Sequence, residues 1–328
     1  MGIGKSAMLK NLGPMFPNHK LCYVDLTTKD VGDFVVPKIR TIDGVEVCSF
    51  IPNEEFGIHH KEQPVLMMLD ELGKAKGGVM NACLRLMYER SLGTYNLHPD
   101  SIVFATTNLA MEGIGDVVPP HARNRISTLR VAKPTAEAWM EWAVNSGVDP
   151  VIIATVQEYP EMLASFEDYE HAQQNPYIFH PQAQRSAFVT PRSLVTASHI
   201  YKGAKDLGTE VLCHTLAGTV GEAAMNNILT MVTLDQQLPS WAEIIADPHK
   251  TKVPTGAAGK CLLVMKAVQR VDAECFEAWM IYQNRMSKEA QGLFARSIMS
   301  NKCPKRKLAT TVRPFILWAT SNHFLFTD

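Results

Sequence analysis

The chain has 328 residues with a formal net charge of −1, from 32 Lys and Arg against 33 Asp and Glu, and it is 46% apolar and 20% charged. That length excludes a single small module and suggests about two domains, while the balanced charge excludes a strongly basic nucleic-acid binder or an acidic tail. No apolar run approaches the roughly 20 residues that span a bilayer, no secretory signal opens the chain, and seven scattered cysteines fit a reducing, cytoplasmic compartment better than a disulfide framework or zinc module.

The first element is a loop, MGIGKS. Gly2 and Gly4 leave the backbone free around Ile3, Lys5 supplies a cation, and Ser6 supplies a hydroxyl at the start of the apolar run Ala7-Met8-Leu9. Backbone N–H groups of such a loop converge on phosphate oxygens at a helix N-terminus, with the lysine on the terminal phosphates and the serine on Mg²⁺. Alone, the fragment fits an accidental turn as well, because the full phosphate-loop pattern has an earlier glycine and follows a buried strand. Leu21–Asp25 (LCYVD) is the first predicted strand. In Lys38–Phe50 the pair Asp43-Gly44 separates IRTI from VEVCSF, which predicts a hairpin because a type I′ turn needs positive φ at both central residues.

Val65–Leu69 is an apolar strand that delivers two adjacent carboxylates, Asp70 and Glu71, at its C-terminal end, where ligands of open α/β sheets bind. Asp70 suits a magnesium ion held through water, and Glu71 suits the orientation and activation of a water that attacks a γ-phosphate. Two solvated acids capping the next helix, Val79–Arg90, are the plainer alternative. Ile102–Ala105 predicts a further buried strand, and Asn108 just beyond it carries an amide able to bond the attacking water or the γ-phosphate; an ordinary turn residue is the alternative there. Thr128–Val131 is the last predicted strand. Short β-branched runs alternating with helical patterns over residues 1–133 are the order of a parallel sheet wound with helices, an α/β fold.

From Pro134 onward the periodicity is helical, over Thr135–Ser146, Asp149–Leu163, Pro191–Asp206 and Gly208–Val232. The polar stretch Glu167–Arg185 reads as a surface loop and Pro248–Gly259 as a linker, after which Lys260–Ser300 is again helical. The predicted division is therefore a core at 1–133, a helical lid at 134–247, and a linker with a helical extension at 248–328.

Taken together, GIGKS, LMMLDELGKA, the helix VMNACLRLMYER and FATTN resemble the AAA+ ATPases of the MoxR-like branch, as Walker A, Walker B, its following helix and sensor 1. The block from Leu69 to Asn108 is similar to that branch in order and spacing. The resemblance implies ATP and Mg²⁺ as cofactors, with Gly2, Ile3, Gly4, Lys5, Ser6 and Asp70 binding nucleotide and Ser6 and Asp70 holding the metal. Glu71 and Asn108 are then catalytic, and an arginine finger falls at Arg125, with Arg123 as competitor; the family's Asp-Arg-Phe triplet is Asn124-Arg125-Ile126 here. Thr190-Pro191-Arg192-Ser193 is similar to sensor 2, which puts Arg192 on the γ-phosphate. A plain capped helix with an exposed arginine is the alternative reading of that stretch.

By the same resemblance the chain forms a homo-oligomeric ring, a hexamer, that remodels a client protein as a chaperone and works with a von Willebrand factor A-domain protein. The hairpin at Lys38–Phe50 lies where this branch inserts one that faces the pore. The predicted strands match the family's second to fifth, and the first, which precedes Walker A, has no counterpart, so a start upstream of Met1 is the expectation, in bacterial or phage context. A non-catalytic nucleotide-binding scaffold, or a DNA-dependent motor or helicase loader, are the alternatives, the last disfavoured by the near-neutral charge. Pro254–Lys260 only imitates a phosphate loop, lacking Ser or Thr after the lysine. The aromatics Trp279, Tyr282, Phe294, Phe315, Trp318 and Phe324 recur at roughly helical spacing and read as packing. The run Lys302–Lys307 reads as a solvated turn, and His59-His60 shows no metal-ligand spacing.

Overall fold

The computed structural model describes residues 2–108, 124–167, 172–183, 185–204 and 208–323. The chain divides into two compact units, Ile3–Val131 and the residues from Ala132 onward.

The first unit is α/β. Three parallel strands, β1 (Lys20–Asp25), β4 (Val65–Asp70) and β7 (Ile102–Ala105), lie in the order β1-β4-β7. Asp25 stands opposite Asp70, and Leu69 opposite Ala105. All of β4 is buried, as expected of a central strand covered on both faces. Its alternation sorts the two layers: Leu66 and Met68 pack with Leu9 of helix α1 (Met8–Leu12), while Val65, Met67 and Leu69 pack with Val79, Cys83 and Leu86 of helix α2 (Gly77–Tyr88). This is a three-strand parallel sheet covered by helices on opposite faces, compatible with a Rossmann-like or P-loop core.

Strands β2 (Val35–Ile42) and β3 (Val45–Pro52) form the expected antiparallel hairpin, turned by Asp43 at φ 52° and Gly44 at φ 81°. A two-residue turn of this kind matches strand twist only with both central residues left-handed. A small ladder, β5 (Ser91–Leu92) with β6 (Tyr95–Asn96), follows α2.

Thr128–Val131 is not a strand. The segment has no ladder partner among the described residues and is exposed, with Leu129 87% accessible. β-Branched residues fit a strand only where a neighbour takes their N–H and C=O groups, and among the described residues β7 pairs with β4 alone and is half-buried throughout.

The second unit is helical: α3 (Ala136–Asn145), α4 (Pro150–Glu158), α5 (Pro191–Gly203), α6 (Thr209–Val220), α7 (Glu222–Gln236), α8 (Trp241–Ala246), α9 (Ala257–Arg270), α10 (Phe276–Gln283), α11 (Lys288–Met299), α12 (Arg306–Ala309) and α13 (Arg313–Ser321). Several of its helices start with side-chain caps. Thr135 accepts from the Ala138 N–H, Asp149 from Val151 with Pro150 behind it, and Thr190 and Ser193 form a reciprocal capping box ahead of Pro191. Pro150–Val156 of α4 are buried on every side, which makes α4 the axis about which α3, α7 and α9 pack.

Two details depart from the sequence pattern. The periodic run Gly208–Val232 is broken into α6 and α7 at Gly221, whose φ is 87°. The end of Pro248–Gly259 is already helical, because α9 begins at Ala257 with Gly259 buried. The remaining connection is tied down by the Tyr282 hydroxyl donating to the Lys252 carbonyl at 2.8 Å and by Arg285 Nη1 donating to that of Pro248 at 2.7 Å. Residues from α3 to α13 share one hydrophobic core. The aromatic set Trp279, Tyr282, Phe294, Phe315 and Trp318 is buried within it, while Phe324 lies outside the described residues. No helix among the described residues is long and apolar enough to cross a membrane.

Candidate functional site

At the C-terminal end of β4 the chain turns sharply, with Glu71 at φ 60°. The Leu72 N–H donates to the Thr106 carbonyl at 2.8 Å and the Thr106 N–H to that of Leu69 at 2.9 Å. These bonds extend the β4–β7 pairing beyond the strands and bring Asp70 and Glu71 beside Thr106, Thr107 and Asn108. The amino-terminal loop arrives from the α1 side. Gly2 and Gly4 have φ values of 64° and 89°, the Ala7 N–H donates to the Gly4 carbonyl at 3.0 Å, and Leu9 is anchored on Leu66 and Met68. That anchor sets Lys5 and Ser6 over the end of β4.

Five residues named from the sequence meet there. Ser6 Oγ donates to Asp70 Oδ2 at 2.8 Å. Lys5 Nζ donates to the Thr107 carbonyl at 2.6 Å and to Asn108 Oδ1. Asn108 Nδ2 donates to both carboxylate oxygens of Glu71, each at 3.0 Å. Lys74 Nζ lies 3.3 Å from Glu71 Oε2. Loop, strand end and β7 terminus are thus joined in one polar cluster.

Asp70 is 4% exposed and nonetheless stays ionised. Burial pushes its carboxyl up, but the hydrogen bonds from Thr106, Ser6, Tyr23 and the Glu71 N–H outweigh that and hold it below the ordinary value. Tyr23 donates to Asp70 Oδ2 at 2.9 Å. Burial, then that bond, then the surrounding carboxylates push its phenol up to about 12.

Tyr23, Thr106, Thr107 and Lys74 belong to the cluster and were not read from the sequence. Tyr23 alternates with apolar residues and looks like an ordinary strand aromatic; only the β1–β4 register, which sets it opposite Met68, aims it along the strand toward Asp70. Thr106 and Thr107 look like strand formers. The signal available was polarity, two hydroxyls beside the amide in TTN.

Ile3 is half-buried in the opening loop. Arg125 is exposed in the turn at 124–126, and Arg123 lies outside the described residues. Arg192 is exposed on the first turn of α5 in the second unit. Arg125 is not among the residues that form the cluster.

No protein-family model matches the sequence, and no curated protein matches it. What the cluster can hold follows from its chemistry. The Ser6 hydroxyl and the Asp70 carboxylate are hard oxygens in contact. No group of three or more His, Cys, Asp or Glu able to hold a metal occurs among the described residues, so the side chains offer no all-protein cage. Magnesium is commonly held by one or two protein oxygens with phosphate and water completing its octahedron, and this donor set fits that pattern. Lys5, which donates to the Thr107 carbonyl and to Asn108 Oδ1, carries a cation of the kind that binds a phosphate oxygen.

Proposed function

We propose that the chain binds and hydrolyses ATP as an AAA+ protein of the MoxR-like branch, with residues 1–133 as the nucleotide-binding core. The observation that supports this is the convergence of Lys5 and Ser6 with Asp70, Glu71 and Asn108, across sequence separations of 64 and 103 residues. Lys5 takes the β- and γ-phosphates, and Ser6 and Asp70 hold Mg²⁺. The ion supplies charge neutralisation on the phosphate oxygens. Glu71 orients and deprotonates the attacking water, and Asn108, already within reach of both Glu71 and Lys5, senses the γ-phosphate.

The further parts rest on the resemblance alone. Arg125, or Arg123, enters the neighbouring subunit's site in a homo-oligomeric hexameric ring, and Arg192 contacts the γ-phosphate from the lid. The ring remodels a client protein with a von Willebrand factor A-domain partner.

The test is nucleotide binding and turnover measured together. Lys5→Ala is expected to weaken ATP binding about tenfold or more, one charge-assisted phosphate contact being lost. Glu71→Gln is expected to retain binding and to lower turnover by about a hundredfold or more, the usual size of a general-base contribution. A wild-type chain that binds no nucleotide sinks the proposal. Binding without turnover in the wild type supports instead the non-catalytic scaffold, which the engagement of both Glu71 oxygens by Asn108 favours.

A further inference from the structure

The acceptor positions of Asp70 are all taken in this structure. An ionised carboxylate offers about four acceptor positions, and four donors fill them: Thr106 Oγ1 and the Glu71 N–H on Oδ1, Ser6 Oγ and the Tyr23 hydroxyl on Oδ2. Only 4% of the residue is exposed, which leaves little room for solvent on another side. For Asp70 to receive Mg²⁺, or a water bound to it, one donor must withdraw.

The four differ in what withdrawal costs. The Glu71 N–H is fixed by the turn at φ 60°. Thr106 is buried, and its backbone is held by both Leu69 and Leu72. Ser6 need not leave, because its oxygen can bind a cation while its proton still points at Asp70 Oδ2. Tyr23 is 46% exposed; its hydroxyl can exchange the carboxylate for solvent, replacing one hydrogen bond by another at small net cost.

We infer that Tyr23 is a positioning residue that occupies the metal-facing oxygen of Asp70 and yields it when Mg²⁺ arrives with nucleotide, so that its hydroxyl weakens metal coupling rather than strengthening it. The inference rests on the nucleotide reading and adds to it a residue from the neighbouring strand that regulates that site's demand for metal. Tyr23 and Ser6 donate to the same oxygen, yet their removal has opposite consequences. Without the Tyr23 hydroxyl, Oδ2 has an open acceptor position for the metal or its water. Without the Ser6 hydroxyl, the ion loses a ligand.

The experiment is calorimetric titration of the full chain with a non-hydrolysable ATP analogue, once in EDTA and once in excess magnesium. The readout is the ratio of the two affinities, which reports the metal's contribution independently of turnover. Tyr23→Phe is expected to raise that ratio about fivefold, the equivalent of one competing hydrogen bond, and Ser6→Ala to lower it. Tyr23→Leu repeats the deletion with a different side chain should the ring variant fail to fold. A ratio unchanged or lowered in the Tyr23 variants, with the wild type binding the analogue, overturns the inference and leaves the nucleotide reading standing. A wild type that binds the analogue in neither buffer overturns both.

Discussion

The chemistry of single groups gives the first test, in acid. The fold holds the Asp70 carboxyl below its ordinary 3.8, so as the pH falls the unfolded chain takes up the proton first. The stability Asp70 contributes is complete above that ordinary value and is lost as the pH falls through the depressed one. Asp70→Asn is expected to lower stability by about 1–3 kcal/mol at neutral pH, the range for a buried hydrogen-bonding group left mismatched, and to flatten this acid limb in urea titrations followed by circular dichroism. Lys133 gives the opposite case, in base. Burial brings its ammonium down to about 8 from 10.5, while its Nζ donates to the Ala164 carbonyl at 2.8 Å. Between those values the unfolded chain carries more protons than the folded one, so this group makes stability rise with pH across that window. Lys133→Met is expected to remove the rise and to stabilise the protein below pH 8. Ser6, Asp70, Glu71 and Asn108 were legible because their types are rare in such an order next to apolar runs. Tyr23 and Thr106 were not, since each is also an ordinary strand former, and only register decides whether its hydroxyl meets a carboxylate.

Among the elements, the ones read correctly from sequence carry their determinants locally. β4 is an uninterrupted apolar run ended by acids, and the β2–β3 turn needs only Asp43 and Gly44. The failures are those whose state depends on something distant. Thr128–Val131 has strand-forming residues but no ladder partner among the described residues, and propensity does not substitute for pairing. The run Gly208–Val232 has continuous helical periodicity, yet a backbone contact interrupts it: a Cβ on Gly221 would lie 3.0 Å from the Ala187 carbonyl oxygen, with φ at 87°. An L-residue there meets both an unfavourable φ and a carbonyl fixed in the chain leading to α5. Gly221→Ala is accordingly expected to cost about 1–3 kcal/mol, seen as a lowered thermal midpoint. Gly218→Ala, inside α6 and with nothing within 4 Å of the added carbon, is expected to be neutral or to raise the midpoint by helix propensity. Equal effects of the two would mean that α6 and α7 are one helix with no obligatory break.

At the scale of the whole molecule, the chain's two compact units meet in sequence at Val131 and Ala132, within an exposed stretch. Residues 124–132 have no regular secondary structure, and all but Ile126 are exposed. Cleavage requires several residues to leave their partners and extend into a protease, so it concentrates where the backbone is exposed and unladdered. Some exposed basic residues are held within regular elements. Lys38 and Arg40 sit within the β2–β3 ladder, and Arg85 within α2. Arg125 and Arg130 are exposed, with no such constraint from secondary structure. Brief trypsin treatment of the native chain is therefore expected to release a stable carboxy-terminal fragment that begins at Ile126 or Val131. That fragment retains helical circular dichroism because α3 to α13 share a single core around the buried α4. A first cut within α9, or a carboxy-terminal fragment degraded as fast as it forms, would show that the helical half has no core sufficient to itself.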